Sequence, residues 1–443
     1  MERRNLENRM MYDGLYTFAI RIFNMLCAAG LGILTARLLG PAGKGLYALP
    51  AIEAGLVVTG FGGLSSALSY FLLNRRPGRR VLVPAFITAA LYVLAAAVAL
   101  IPIALLSGHR WTLLPALLFL PAAATINLAM GYTLGIKRVR YLTSLNFAVT
   151  VVTILIMSAG LLLVGRLPSI AIVCWLLANW IVASCAIAVV LWHARQLEGK
   201  ETVAIADFAR FGLKVGLVNL VSLLNYRADL YIVALYATTT ELGMYTVAIA
   251  AAESLLVPTQ VAALVTSPHI GSLDRESAAR LATRCVRNNL LIAIIVCGLL
   301  FVVAGPIVHV LYGSAFLPII PALRILLLGV LALSLGSPMA AYFTLKLGRP
   351  EIPLRLAGLS AAVCIALAVI LLPRLGLVGA ALASSIAYTV GQFAAFWYFM
   401  RTTRATLAAL LVPTRADMTL YYGFLMRMIQ DGRRLLGPAT PSR

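Results

Sequence analysis

Long apolar runs recur along this chain from near its start to residue 400, and that recurrence constrains the fold more than any single motif does. A helix rising about 1.5 Å per residue needs about 20 mostly apolar residues to cross the hydrocarbon core of a bilayer. Lipid offers no partner to an exposed backbone amide, so each run is expected to be one helix. Twelve such runs lie near 14–39, 46–73, 81–106, 112–136, 142–164, 169–193, 209–236, 242–267, 288–312, 318–343, 354–373 and 376–400. The composition agrees, with 62% hydrophobic and 12% charged residues, against about 45–50% and about 25% in soluble domains. An all-α integral membrane protein with twelve transmembrane helices is expected.

The chain carries 36 Lys and Arg against 15 Asp and Glu, a formal net charge of +21 that in a soluble protein would point to nucleic acid. Here the charges lie in the connections. With the N-terminus in the cytoplasm, an even helix count returns the C-terminus to the same side. The inner segments then hold 28 Lys and Arg, and the outer turns hold 4, namely Lys44, Arg110, Arg166 and Arg374. Arg21, Arg37, Arg227 and Arg324 lie inside helices or at their edges. Basic residues concentrate on the cytoplasmic side of membrane proteins, so the excess reads as topology, with attraction to anionic membrane lipids and no nucleic-acid partner.

The opening MERRNLENRMMYDG precedes a run longer than a signal-peptide core and reads as a cytoplasmic cap. The outer turns are all short, which leaves no large external domain for chemistry. Cys27, Cys174, Cys185, Cys285, Cys297 and Cys364 show no CxxC or Cys/His spacing and mostly sit in apolar runs. They read as small hydrophobes, so no metal site, cofactor or disulfide framework is expected.

The longest polar connection, HARQLEGKETVAIADFAR at 193–210, divides the chain into six helices and six. The halves echo each other. Gly243 and Tyr245 follow Gly45 and Tyr47 by 198 residues, each pair after a short turn, and Glu53 has a near counterpart in Glu253. Because six is even, the repeat is parallel, its pseudo-twofold axis along the membrane normal. The expected organisation is an N-lobe at 1–200, a C-lobe at 201–400 and an interfacial amphipathic tail at 401–443.

The stretch TARLLGPAGKGLYAL at 35–49 resembles the helix one to helix two signature of bacterial polysaccharide (Wzx-like) flippases. These belong to the MOP superfamily, with the lipid II flippases and MATE drug exporters. RADLYIVALYATTTELGMYTVA at 227–248, VLYGSAFLPIIPALRIL at 310–326 and LPRLGLVGAALASSIAYTVGQ at 372–392 fit the same family in the same order. The resemblance implies two six-helix lobes around a central cavity in a bacterial cytoplasmic membrane, working by alternating access. It implies as cargo an undecaprenyl-diphosphate-linked oligosaccharide, and as partners the polymerase and glycosyltransferases of a surface polysaccharide pathway.

Charges inside a bilayer cost about 2.5–3.5 kcal/mol each on insertion scales, so those within the spans are the candidate site residues. At 100° per residue, Arg21, Asn24, Ala28, Gly32 and Thr35 share one face of the first helix. Asn219, Ser222, Asn225, Tyr226 and Asp229 form a stripe on the seventh. Arg227 lies about 200° from Asp229, so the two cannot both face one cavity and one of them must face a neighbouring helix. Arg21, Asn24, Arg37, Asn225 and Arg227 are the candidate substrate contacts, guanidinium being suited to a diphosphate. Glu53, Asp229 and Glu253 are the candidate ion-coupling residues, because a carboxylate in lipid is costly to keep ionised unless paired. Against each stands a structural reading: snorkelling for Arg21, anchoring for Arg37, a helix brace for Arg227, an ion pair for the glutamates. In GFGGLSS at 60–66, a hinge competes with close helix packing.

Other functions fit less well. A MATE-like exporter of cations would want an acidic cavity, whereas four in-helix arginines stand against three carboxylates. A membrane polymerase or ligase would want a sizeable outer loop, and His109, His193, His269 and His309 are scattered, so no enzyme is expected. A passive scramblase or assembly scaffold would show no dependence on a coupling ion.

Overall fold

The computed structural model describes residues 2–75, 79–106, 108, 110–136, 138–195, 203–412 and 414. Among the described residues the chain is helical, with no strand. The helices are α1 (Glu2–Val58), α2 (Gly62–Arg75), α3 (Leu82–Leu106), α4 (Leu113–Gly135), α5 (Val139–Ala159), α6 (Pro168–Ala194) and α7 (Ile205–Tyr236). They continue as α8 (Thr239–Glu253), α9 (Val257–Ser272), α10 (Arg275–Tyr312), α11 (Ile320–Leu333), α12 (Gly336–Ala341), α13 (Glu351–Thr403) and α14 (Leu407–Leu411). Short 3-10 or π turns join several of them into single spans, as Thr59–Phe61 joins α1 to α2 and Ser254–Leu256 joins α8 to α9.

Among the described residues nine helical stretches are long and apolar enough to cross a membrane. Two of these are pairs. α1 is broken at Gly40 (φ 68°, ψ −179°) and α13 at Gly376 (φ 58°, ψ −141°), backbone conformations essentially closed to residues with a side chain. With α7, whose polar stripe keeps it out of the nine, the count returns to twelve spans at the places the apolar runs mark. The amphipathic tail lies mostly outside the described residues.

Two compact units emerge from the packing. One comprises Met1–Ala251, Val303–Leu326 and Ala357–Ser384; the other comprises Ala252–Val302, Leu327–Leu356 and Ser385–Arg443. In the first, α2 packs between α4 and α7 at unusually short range. A Cβ on Gly63 would lie 1.9 Å from the Gly212 carbonyl oxygen, one on Gly216 2.7 Å from that of Gly60, and one on Gly131 2.4 Å from that of Ser65. Small residues let helix backbones approach where dispersion must replace the hydrophobic effect. GFGGLSS thus serves close packing at Gly63, and a 3-10 turn interrupts the span at Thr59–Phe61.

The second unit has its own core, with Tyr342, Phe343 and Phe399 stacked edge to face and Met339 and Ile270 against them. α10 enters this unit through an amphipathic N-terminal extension. Asp274 caps it, its carboxylate accepting from the Ser277 backbone N–H at 2.9 Å, which holds the Asp274 carboxyl below the usual carboxylate range. Arg280 pairs with Glu276 one turn away, and Arg287 donates to the Ala409 carbonyl at 2.7 Å.

Candidate functional site

Among the described residues, a dense polar arrangement inside the spans of the first unit surrounds Asp229 in α7. The side chain is 2% exposed. Its Oδ2 accepts from the Tyr245 hydroxyl of α8 and the Ser384 hydroxyl of α13, both at 2.6 Å, and Oδ1 accepts from the Leu230 N–H at 2.8 Å. Cys364 lies alongside, its Sγ 3.8 Å from Ser384 Oγ. Three donors from three stretches of chain compensate a charge that would otherwise be expensive to bury.

This resolves the conflict on the seventh helix. Asp229 turns to the neighbouring helices, while Arg227 is only half-buried, one turn before Tyr231. Asn225, one turn before Asp229, is 9% exposed, and its Oδ1 has no hydrogen-bond partner among the described residues. Asn24 in α1 is half-buried with its Oδ1 in the same condition. Arg21 lies in α1, but its side chain is outside the described residues.

The other candidates are spread apart. Glu53 is 4% exposed, and its Oε2 accepts from the hydroxyl of Thr112, just before α4. Glu253 ends α8 half-buried, where the span passes into the 3-10 turn Ser254–Leu256. Arg37 donates through Nε to the Leu311 carbonyl at 2.8 Å and through Nη2 to that of Val310. It therefore caps the C-terminal turn of α10, whose carbonyls have no partner within the helix, and an incoming anion would share it with them.

Sequence reasoning missed two features. Lys44, counted with the outer turns, points inward: its Nζ donates to the buried Thr35 hydroxyl at 2.5 Å and lies 5.7 Å from the Tyr47 ring centroid. The second feature is the meeting of the two repeat turns. A Cβ on Gly45 would lie 1.7 Å from the Thr239 carbonyl oxygen, and one on Gly243 would lie 1.9 Å from that of Pro41. Pro41 and Thr239 are also 198 residues apart. Each turn therefore presses the equivalent glycine of the other half, a reciprocal contact related by the internal repeat. The matched Gly-x-Tyr motifs gave the signal, but not that they touch.

The sequence pattern of the family described as polysaccharide biosynthesis protein matches residues 33–321. The chain belongs to that family. No curated protein sequence matches it at a significant level. Among solved structures, a lipid II flippase, MurJ, in an inward closed conformation aligns with a TM-score of 0.74 at 16% identity, covering 97% of this chain and 94% of that one. An inward-facing multidrug resistance MATE family transporter of the MOP superfamily aligns at 0.73 and 17% identity, covering 88% and 98%. A MOP superfamily transporter from Pyrococcus furiosus aligns at 0.61 and 16%, covering 90% and 94%. This member of the polysaccharide biosynthesis family thus has the all-helical fold of MOP superfamily transporters and is a multi-pass membrane protein.

Proposed function

We propose that this protein is a flippase that moves an undecaprenyl-diphosphate-linked oligosaccharide across the bacterial cytoplasmic membrane by alternating access, with both termini in the cytoplasm. The observation that carries the reading is the reciprocal contact of Gly45 with Thr239 and Gly243 with Pro41. It brings the two repeat halves, 1–200 and 201–400, into close backbone contact at the two equivalent glycines. Such a contact can part and re-form, as the outer closure of a rocking pair of lobes must.

Family membership supports a role in polysaccharide assembly, and a glycosyltransferase or polymerase would supply or consume the cargo. Arg21, Asn24, Asn225 and Arg227 are the residues proposed to meet the diphosphate and its first sugars. The buried amide oxygens of Asn24 and Asn225 suit hydroxyl donors of a glycan. Asp229, linked to Tyr245 and Ser384, is the proposed coupling group, because a change in its charge would alter how α7, α8 and α13 are held together. Glu53 and Glu253 are secondary candidates for that task.

A buried carboxylate also favours a second reading, a cation-coupled drug antiporter. Transport separates the two. Vesicles containing the purified protein should translocate a labelled lipid-linked oligosaccharide and leave the distribution of a cationic dye unchanged; the opposite result would favour the antiporter.

A further inference from the structure

A groove of about 490 Å³ opens in the first unit where three spans begin. It is lined by Leu46 from the start of the second span, Trp111 from the turn before α4, Pro115 from the first turn of α4, and Pro168, Ser169 and Ile172 from the start of α6. Its volume falls in the roughly 300–1,000 Å³ range of sites that hold small organic ligands. Its edge is exposed hydrocarbon: Val173, which also lines it, and Leu114, next to Pro115 in the chain, are exposed large apolar side chains.

The charges beside this groove set it apart. Of the four basic residues that the sequence places in outer turns, Arg110 immediately precedes Trp111 and Arg166 stands two residues before Pro168. Both are exposed. Lys44 is turned inward to Thr35, and Arg374 belongs to a different turn. Basic residues are disfavoured in outer turns, so two beside one apolar groove mark a place where an anion and a hydrocarbon chain can be held together.

We propose that this groove is a binding site for an anionic phospholipid of the outer leaflet, with one acyl chain along Trp111, Pro115 and Ile172 and the phosphate between Arg110 and Arg166. Guanidinium groups bind phosphate oxygens through paired N–H donors, and two of them beside one phosphate repel the cation of a choline headgroup, which gives the site its preference for anionic over zwitterionic lipids. The occupant is a resident lipid rather than the transported carrier, because the groove adjoins the lipid-facing surface. The leaflet, though not the site, rests on the orientation adopted for the flippase reading.

The test is lipid retention by the full chain, purified in neutral detergent and measured by native mass spectrometry with phosphatidylglycerol and phosphatidylcholine of identical acyl chains. Wild type should retain phosphatidylglycerol preferentially. Arg110→Gln with Arg166→Gln should weaken that retention about tenfold and weaken phosphatidylcholine much less, so that the preference is lost. Ser169→Trp, which fills the groove from an exposed position, should lower retention of both. The substituted positions are on the surface, and size-exclusion profiles matching wild type show that each variant is folded. Equal phosphatidylglycerol retention in wild type and the double Gln variant would overturn the site, as would displacement of the phospholipid by undecaprenyl diphosphate. The assay contains no glycan, so failure of the flippase reading leaves its outcome unaffected.

Discussion

Asp229 shows what a single residue can and cannot disclose in advance. Helical geometry alone established that Asp229 and Arg227 could not share a cavity, but the partners that settle which one turns away are Tyr245 and Ser384, the latter 155 positions along the chain. Hydrogen bonds to a charged group contribute about 1.5–3 kcal/mol each, so the two hydroxyls are not equivalent to decoration. Tyr245→Phe and Ser384→Ala should each lower thermal stability in detergent, and the double variant should lose less than the sum, since both act on one carboxylate. Thermal melts of the four proteins give the comparison. Asp229→Asn keeps the size of the side chain while removing its charge. It should leave membrane abundance near wild type yet reduce ion-driven transport by tenfold or more, on the order of 1.4 kcal/mol or above; unchanged transport would assign Asp229 a purely structural role. The pairing of Glu53 with Thr112 was equally out of reach of the sequence, because a hydroxyl at the foot of another helix carries no pattern.

At the scale of elements, the apolar runs located all twelve spans because burial in lipid demands length and hydrophobicity, which are local properties. They did not give the ends. The ninth run marks 288–312, whereas α10 begins at Arg275; its first turns are amphipathic and are held by the Asp274 cap, the Arg280–Glu276 pair and the Arg287 contact to Ala409. At 38 residues, α10 is about 57 Å long, well beyond the hydrocarbon core of about 30 Å. The breaks at Gly40 and Gly376 are where glycine is indispensable. Gly40→Ala should cost about 1–3 kcal/mol, a loss measurable as a lower melting temperature, whereas Gly32→Ala, where the new Cβ meets nothing within 4 Å, should be nearly neutral. Gly45→Ala is a different case. Its Cβ would collide with the Thr239 carbonyl, so the turns must separate. Spin labels at 42 and 240 should report a longer distance in this variant than in wild type, with transport reduced; an unchanged distance would show that the contact is not a closure.

For the molecule as a whole, the 28 to 4 distribution of basic residues predicts an orientation, with both termini in the cytoplasm, that can be checked directly. On a cysteine-free background, single cysteines in 74–80 should be protected from an impermeant external reagent, and those in 107–111 should react; the reverse pattern would invert the topology. The repeat of 198 residues was legible as a relation between motifs, and the structure adds that the related turns touch. The central claim is that these halves rock to carry a glycolipid, and it is tested most directly by following a lipid-linked oligosaccharide in vesicles that contain only the purified protein. Wild type should move the labelled glycan to the opposite leaflet. Gly45→Ala and Asp229→Asn should each slow that movement at equal protein content. Movement no faster than in empty vesicles, across imposed proton and sodium gradients of either direction, would contradict the account.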